Sequence, residues 1–241
     1  MVERMEKEML FVSYNICHGY GLDKVLDIGR VGSLLGSIKP QAVALQEVDF
    51  NAVRSHGWDE MAELAKATGM HAFFGKAITL AAGGDYGVGI LTAQPGKVVC
   101  HIPLPGEERR TLLVVETSTE CGAAFRFACT HFDLKEEHRV ASAKIVSDTL
   151  LASDVPTVLM GDFNCEPGSE PYAILSARMD SAIKGNPIMT FPADMPRIAI
   201  DHCFFTHSGR WHGARAAALA EMAISDHRPL MVRTELCNYN S

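Results

Sequence analysis

The chain lacks several features that mark whole classes of protein. Its 241 residues contain no apolar run near the ~18 residues of a membrane span, so we expect no transmembrane helix. The charged segment from Met1 to Glu8 is not the apolar core of a secretory signal. Aromatic residues make up only 7%, which offers little surface for stacking nucleobases. The net charge of −7 argues against a protein whose main task is to grip long polyanions.

The cysteines do not form a recognisable framework either. There are 7 of them, an odd number, and no pair is spaced as Cys-x-x-Cys. A disulfide scaffold or a zinc ribbon is therefore not expected, and reduced thiols in a cytoplasmic protein are the ordinary interpretation. Four of them are predicted to be small core residues: Cys17, Cys129, Cys165 and Cys203.

The composition is that of a soluble globular protein, with 47% apolar and 21% charged residues. We find no repeat, low-complexity tract or linker, and we expect a single domain spanning residues 1–241. Strand-like and helix-like segments alternate along it, and consecutive short strands in the middle favour antiparallel pairing. Helices are predicted near 24–39, 58–68, 136–152 and 171–177, with Gly69 as a C-terminal cap. Strands are predicted near 9–15, 42–46, 71–75, 87–92, 98–102, 111–117, 125–130, 157–160, 200–205 and 229–235.

Polar side chains follow or precede these apolar strands. Asp162 and Asn164 come after the strand 157–160, and residues two apart in an extended chain point to the same side. A carboxylate is costly to bury unless it has a partner or a metal. Several acids at strand ends therefore predict one shared hard cation. The residues at strand ends are Asn15, Glu47, His131, Asp162, Asn164, Asp201, Asp226 and His227.

Each of these residues also has an ordinary interpretation when it is taken alone. Asn15 is typical of a turn, Glu47 of an exposed loop, and His131 of a core histidine that binds a carbonyl. Asp201 could begin a strand, and 225–229 could be a plain turn before an edge strand. The set is more specific than any of its members.

The order and contexts of these residues resemble the endonuclease/exonuclease/phosphatase superfamily of divalent-metal phosphohydrolases, typified by deoxyribonuclease I. The resemblance runs from residue 13 to residue 227 and implies a four-layered α/β/β/α sandwich of two packed, mostly antiparallel sheets flanked by helices. The matching segments are Ser13-Tyr14-Asn15, Leu45-Gln46-Glu47-Val48-Asp49, Gly87-Val88-Gly89-Ile90-Leu91-Thr92, Thr130-His131-Phe132-Asp133, Gly161-Asp162-Phe163-Asn164, Ile200-Asp201-His202 and Ser225-Asp226-His227.

The resemblance also implies roles for the residues. Glu47 would be the principal metal ligand, beside Asn15 and with Asp226 acting directly or through water. Oxygen ligands suit Mg²⁺, with Mn²⁺ as the alternative ion. His227, paired with Asp201, would face the scissile phosphate.

By the same resemblance, Asp162 would orient or deprotonate the attacking water and Asn164 would donate to a nonbridging phosphate oxygen. His131 would stabilise the phosphate or assist the leaving group. Whether His227 or Asp162 is the base stays open, because neighbouring groups titrate together.

Four residues depart from the pattern of small bacterial members of the superfamily. Val88 replaces an asparagine, Thr92-Ala93 replaces a Ser-Arg pair, and His202 stands where tyrosine is common. A phosphate-facing donor and a cation are thus missing from the expected rim. The remaining candidates to contact a substrate are Arg54, Arg110 and Tyr86.

Three functions are compatible with this site. The first is a metal-dependent hydrolase of a phosphate mono- or diester, with a small-molecule or lipid-derived substrate. The second is a nuclease or abasic-site endonuclease with the same centre, which the acidic composition disfavours. The third is a binding protein that has kept the fold without turnover, although every catalytic position holds a competent residue. The oligomeric state is left open.

Overall fold

The computed structural model describes residues 4–5 and 8–238. In this part of the chain there are thirteen strands and four α-helices. The strands are β1 (Arg4–Met5), β2 (Met9–Asn15), β3 (Ala42–Phe50), β4 (His71–Thr79), β5 (Asp85–Thr92), β6 (Lys97–Leu104), β7 (Arg110–Ser118), β8 (Ala124–His131), β9 (Thr157–Asp162), β10 (Asp180–Ser181), β11 (Asp201–Phe205), β12 (Trp211–Ala218) and β13 (Leu230–Asn238). The helices are α1 (Ile28–Ile38), α2 (Glu60–Thr68), α3 (Glu136–Leu151) and α4 (Glu170–Ser176).

The strands form two mixed sheets. The first has the order β1-β13-β2-β3-β5-β4, with β12 paired to β13, and the second has the order β10-β11-β9-β8-β7-β6. Most neighbours are antiparallel, as the short consecutive strands predict, but β2 pairs with β3 and β8 with β9 in parallel. Both parallel pairs are joined through a helix, as parallel strands require.

Three layers of apolar side chains hold the sheets and helices together. Between the sheets, Phe11 of β2 stacks on Phe127 of β8 with ring centroids 5.5 Å apart. Helices α1 and α2 cover the outer face of the first sheet, and α3 and α4 cover that of the second. The result is the four-layered α/β/β/α sandwich that the resemblance implies.

The strand directions bring the polar residues to one edge. Strands β2, β8 and β9 end there, and β3 passes there at Glu47 before continuing to Phe50. Strand β11 begins there because it runs antiparallel to β9, with Asp201 opposite Asp162. Strand β13 runs antiparallel to β2, so the segment before Leu230 returns to the same edge beside Asn15. The edge is therefore assembled from both sheets.

The predicted strands and helices are confirmed, with shifts at their ends. Helix α1 begins at Ile28 rather than near Lys24, because Asp27 caps it by accepting a hydrogen bond from the Gly29 amide at 2.9 Å. Gly69 does cap α2, with φ of 72°. The sequence did not predict β1, β10 or β12, of which β12 is an alanine-rich edge strand.

The prediction for the cysteines is confirmed except at Cys17. Cys129, Cys165 and Cys203 are buried, whereas Cys17 is only partly buried, in a 3-10 turn after β2. This turn leaves the sheet at the polar edge, so Cys17 does not fill the core. Within the described residues, none of the helices combines the length and apolar character that crossing a bilayer requires.

Candidate active site

Asp162 lies at the centre of the polar edge. Its Oδ2 accepts a hydrogen bond from Asn15 Nδ2 at 3.1 Å, and its Oδ1 accepts one from the Asn164 amide at 2.9 Å. Nε2 atoms of two histidines also approach Oδ2, His131 at 3.5 Å and His227 at 3.6 Å. Burial, together with the nearby Asp201, raises the pKa of Asp162 to about 7.

His227 is held by a second carboxylate. Its Nδ1 lies 2.9 Å from Asp201 Oδ2, which also accepts a hydrogen bond from the Thr190 hydroxyl at 2.5 Å. Burial lowers the pKa of His227, but Asp201 and Asp162 outweigh it and raise the pKa to about 10. The imidazolium is therefore the form at neutral pH, held between two carboxylates.

His131, in contrast to His227, is neutral. Burial, followed by the charges of Arg110 and His227, keeps the pKa of His131 well below its usual value. Arg110 Nη1 lies 3.3 Å from its Nδ1, and because a guanidinium can only donate, Nδ1 must be the acceptor. The proton of the neutral ring is then on Nε2, which faces Asp162.

Glu47 sits on a bulge in β3. The pairing of β3 with β5 skips this residue, and its φ is 58°. The bulge turns the carboxylate toward the edge instead of along the sheet. Asn15 Nδ2 donates to its Oε1 at 2.9 Å. Burial raises the pKa of Glu47, and the charge of Asp226 adds to the increase.

Asp226 is partly buried beside this carboxylate. The Ser225 hydroxyl lies 3.3 Å from its Oδ1 and donates to the Asn15 carbonyl at 2.7 Å. Ser225 thereby joins the segment before β13 to the end of β2. An oxygen-rich group thus lies next to Asp162, formed by Asn15, Glu47 and Asp226.

Asn164 follows Asp162 in a left-handed conformation, with φ of 48°. Its Nδ2 donates to the Phe132 carbonyl at 2.9 Å and lies 3.2 Å from His131 Nε2. Because that ring nitrogen carries the proton, the second N–H of the Asn164 amide has no acceptor there.

The candidate substrate residues differ in how they are held. Arg110 is buried and contacts Tyr86 Oη at 3.5 Å and Glu108 at 3.0 Å through Nη1. Arg54 binds the buried Asp49 carboxylate with two nitrogens, each at 2.8 Å, and its guanidinium lies 5.2 Å from the centre of the Tyr86 ring. Arg54 and Tyr86 lie near the charge of Glu47, whereas Arg110 comes from the second sheet and reaches His131.

His202, which replaces the common tyrosine, is a core residue. Its Nε2 donates to the Cys165 carbonyl at 2.7 Å, and its ring packs on Tyr172 with centroids 4.9 Å apart. It fixes the segment that follows Asn164. Two further residues of the site were not predicted: Thr190, and Phe191, whose ring lies 4.8 Å from that of His227. Both belong to a long loop with no motif to indicate them.

Similar folds occur among solved structures. An endonuclease/exonuclease/phosphatase from Beutenbergia cavernae superposes with a TM-score of 0.76 at 22% identity, covering 96% of this chain and 72% of that one. A mannosyl-6-phosphatase of Bacteroides thetaiotaomicron gives 0.76 at 16% identity, covering 94% and 99%. Truncated TDP2 of Caenorhabditis elegans gives 0.72 at 16%, covering 94% and 97%. These likenesses define the fold class, the deoxyribonuclease I-like sandwich.

The sequence identifies the family within that class. The profile of the Endonuclease/Exonuclease/phosphatase family matches residues 12–227, and the chain belongs to this family. The uncharacterized protein YbhP of Escherichia coli is 26% identical over 145 residues. That alignment spans 56% of this chain and 56% of YbhP, so the match covers just over half of each protein.

Proposed function

We propose that this protein is a divalent-metal-dependent hydrolase that cleaves a phosphate mono- or diester by attack of water. The observation that carries the proposal is the arrangement around Asp162. Its carboxylate faces a cationic His227 and a neutral His131, next to the oxygen group formed by Glu47, Asn15 and Asp226. A base, a cation and a hydrogen-bond donor then surround one spot, as phosphate-ester hydrolysis requires.

Glu47, Asn15 and Asp226 would hold Mg²⁺, with Mn²⁺ as the alternative. The residues fit such an ion, because the partly buried Glu47 carboxylate lies near a second acid, Asp226, and the hydrogen bond that it accepts comes from the neutral Asn15 amide. Oxygen ligands of this kind suit a hard cation. When bound, the ion supplies positive charge for the substrate phosphate and the leaving oxygen.

Asp162 is the group we assign as the base. Its pKa of about 7 lets the carboxylate accept a proton from water near neutral pH, whereas His227, with a pKa of about 10, already carries its proton. His227 then binds a phosphate oxygen as a cation, and Asp201 holds its ring in place. These charge states support Asp162, rather than His227, as the base.

The remaining residues would bind and orient the phosphate. Asn164 and the Nε2–H of His131 would donate to its nonbridging oxygens. Arg110, which fixes the tautomer of His131, adds positive charge behind that ring. Arg54 and Tyr86 would contact the rest of the substrate from the Glu47 side, although two nitrogens of Arg54 already bind Asp49.

We infer a small-molecule or lipid-derived substrate. The net charge of −7 disfavours long polyanions as substrates. A mannosyl-6-phosphatase is also among the proteins that share the fold over nearly their whole length. Nucleic acid is the competing substrate class, because a nuclease or abasic-site endonuclease would use the same metal centre and the same attack of water.

A metal-dependent activity screen tests the proposal. Phosphomonoesters, phosphodiesters, sphingomyelin-type lipids and abasic DNA are each assayed with Mg²⁺, with Mn²⁺ and with chelator, using wild type, Asp162→Asn and His227→Ala. We expect turnover of a small or lipid ester that requires metal and is lost in both variants. Activity that survives both substitutions contradicts the mechanism. Cleavage of DNA alone, at moderate salt, would show a nuclease instead.

A further inference from the structure

The turn after β2 places two unusual donors beside Glu47. Ligand atoms of Cys17, His18 and Glu47 all lie within 4.8 Å of one another. One is a thiol sulfur, one an imidazole nitrogen and one a carboxylate oxygen. Asn15, which we assign to Mg²⁺, also contacts both groups, because its Nδ2 donates to Glu47 Oε1 at 2.9 Å and its Oδ1 accepts from the Cys17 amide at 3.2 Å. Glu47 is therefore common to two groups of donors.

Packing does not account for this pair. Cys17 and His18 are only partly buried, and both adopt left-handed conformations with φ of 45° and 43°. His18 Nδ1 is buried and has no hydrogen-bond partner in the described part of the chain. A polar atom buried without a partner costs about 1–3 kcal/mol. Cys17 is a free thiol.

The three donors differ from a magnesium site in chemistry. Mg²⁺ takes oxygen ligands and keeps several waters, whereas thiolate and imidazole are the ligands of Zn²⁺ and related borderline ions. Three protein ligands with an open position are also the usual number in a non-structural zinc site. The donor set thus favours a different ion from the one that the catalytic role requires.

We propose that Cys17, His18 and Glu47 bind Zn²⁺, and that Zn²⁺ excludes Mg²⁺ from the neighbouring site because both ions need the Glu47 carboxylate. Binding would release the proton of the Cys17 thiol and satisfy His18. Zinc would then inhibit the enzyme by binding at a specific site rather than by nonspecific association. The exclusion rests on the proposed function, but the binding does not.

The binding is tested with Co²⁺ as a spectroscopic substitute for Zn²⁺, on the full chain. Wild type should show thiolate-to-cobalt charge-transfer absorption, Cys17→Ser should lose it, and Cys100→Ser, at a partly buried cysteine of the edge strand β6, should keep it. Zn²⁺ affinity in Cys17→Ser and His18→Gln should fall by roughly 10–100-fold or more, given that loss of a ligand's supporting partner alone has that effect. No band in wild type, or a band that persists in Cys17→Ser, overturns the site. If Cys17→Ser fails to fold by circular dichroism, His18→Gln decides through its Zn²⁺ affinity.

The exclusion is tested by competition. Added Mg²⁺ should weaken the cobalt band of wild type, and Zn²⁺ should inhibit Mg²⁺-dependent turnover with a midpoint that rises with Mg²⁺ concentration. In His18→Gln that midpoint should lie at higher Zn²⁺, relative to the variant's own uninhibited rate. Equal inhibition of wild type and variant contradicts the proposal. If wild type shows no Mg²⁺-dependent turnover at all, the proposed function fails, while the cobalt band still reports on the site.

Discussion

Asp162 and His227 form a pair whose charge states depend on each other. The two carboxylates around His227 raise its pKa to about 10, while burial raises the pKa of Asp162 to about 7. At neutral pH the pair therefore holds one fixed cation and one carboxylate that is partly protonated. This gives the site a base that works near neutrality and a cation that persists well above it.

The pH dependence of turnover follows from this pair. Asp162 must be unprotonated to act, so activity should rise as pH increases through about 7, and it should fall as His227 loses its proton near pH 10. Asp162→Asn should lower kcat by about 10²–10⁴-fold and remove the acidic limb of the profile. Asp154→Asn, at an exposed acid before β9, is the control and should keep the wild-type profile. A variant at Asp162 that keeps the acidic limb would show that another group titrates there.

At the residue scale, the sequence predicts residues that belong to motifs, and it misses contacts between residues that are distant along the chain. Asn15 and Asp162 stand 147 positions apart; the resemblance gave each of them a role in one site, but nothing in the sequence predicted the hydrogen bond between them. Thr190 lies in a loop without a pattern, so its bond to Asp201 depends on a chain path that local sequence does not determine. The same holds for Arg110, whose role in fixing the His131 tautomer requires the register of β7 against β8.

At the scale of strands and helices, the site depends on close contact between β8 and β9. Gly161 precedes Asp162, and a Cβ at this position would lie 2.2 Å from the Thr130 carbonyl oxygen of the neighbouring strand. The glycine allows the two parallel strands to approach, which sets the distance between Asp162 and His131.

Gly161→Ala should therefore affect both stability and catalysis. Separating two paired strands should cost about 1–3 kcal/mol, the usual range for overpacking, and kcat should fall because Asp162 moves with β9. Urea unfolding and steady-state kinetics measure the two effects. Gly209→Ala, where the added Cβ meets nothing within 4 Å, is the matched control. Wild-type stability and kcat in Gly161→Ala would show that the strands can part without consequence.

Helix α2 is joined to β3 by a buried acid. Glu60 opens the helix and accepts a hydrogen bond from the Asp49 amide at 2.8 Å, and burial raises its pKa from 4.5 to about 8. Between these values the folded protein holds a proton that the unfolded chain releases. The resulting stabilisation is complete below pH 4.5 and is lost as pH rises through about 8.

Glu60→Gln removes this titration. The free energy of unfolding of wild type should fall with pH by up to about 1.4 kcal/mol per unit across that window, relative to the variant. The stability of Glu60→Gln minus that of wild type should thus grow from pH 5 to pH 8, measured by urea unfolding at each pH. Glu63→Gln, at an exposed acid of the same helix, corrects for the loss of one charge. A constant difference across the window would mean that Glu60 stays ionised in the folded protein.

The architecture was more predictable than its details. A nearly continuous apolar run predicts β2 to its last residue, Asn15, because this strand is buried along its whole length. It misses β12, whose sequence of small and polar residues has no strand pattern and is held at the edge by pairing with β13. The bulge at Glu47 is equally hidden, since the apolar run 42–45 before it gives no sign of where the register shifts.

Across the whole molecule, both sheets contribute acids to one edge. Glu47 comes from the first sheet, Asp162 and Asp201 come from the second, and Asp226 precedes β13, in a chain of net charge −7. Such a concentration of like charge opposes the compact state unless protons or cations offset it. His227 offsets part of it between Asp162 and Asp201, which leaves Glu47 and Asp226 for an external cation.

Mg²⁺ should therefore stabilise the fold. A cation that binds only the folded protein adds about 2.7 kcal/mol at 100 times its Kd, which for a chain of this size corresponds to an increase in Tm of about 5–10 °C. Scanning calorimetry with Mg²⁺, against NaCl of equal ionic strength, separates binding from screening. Glu47→Gln should lose most of the shift in Tm because it removes the negative charge of the principal metal ligand. Glu63→Gln should retain the shift. A full shift in Glu47→Gln would place the cation elsewhere on the acidic surface, and the metal ligands proposed here would be wrong.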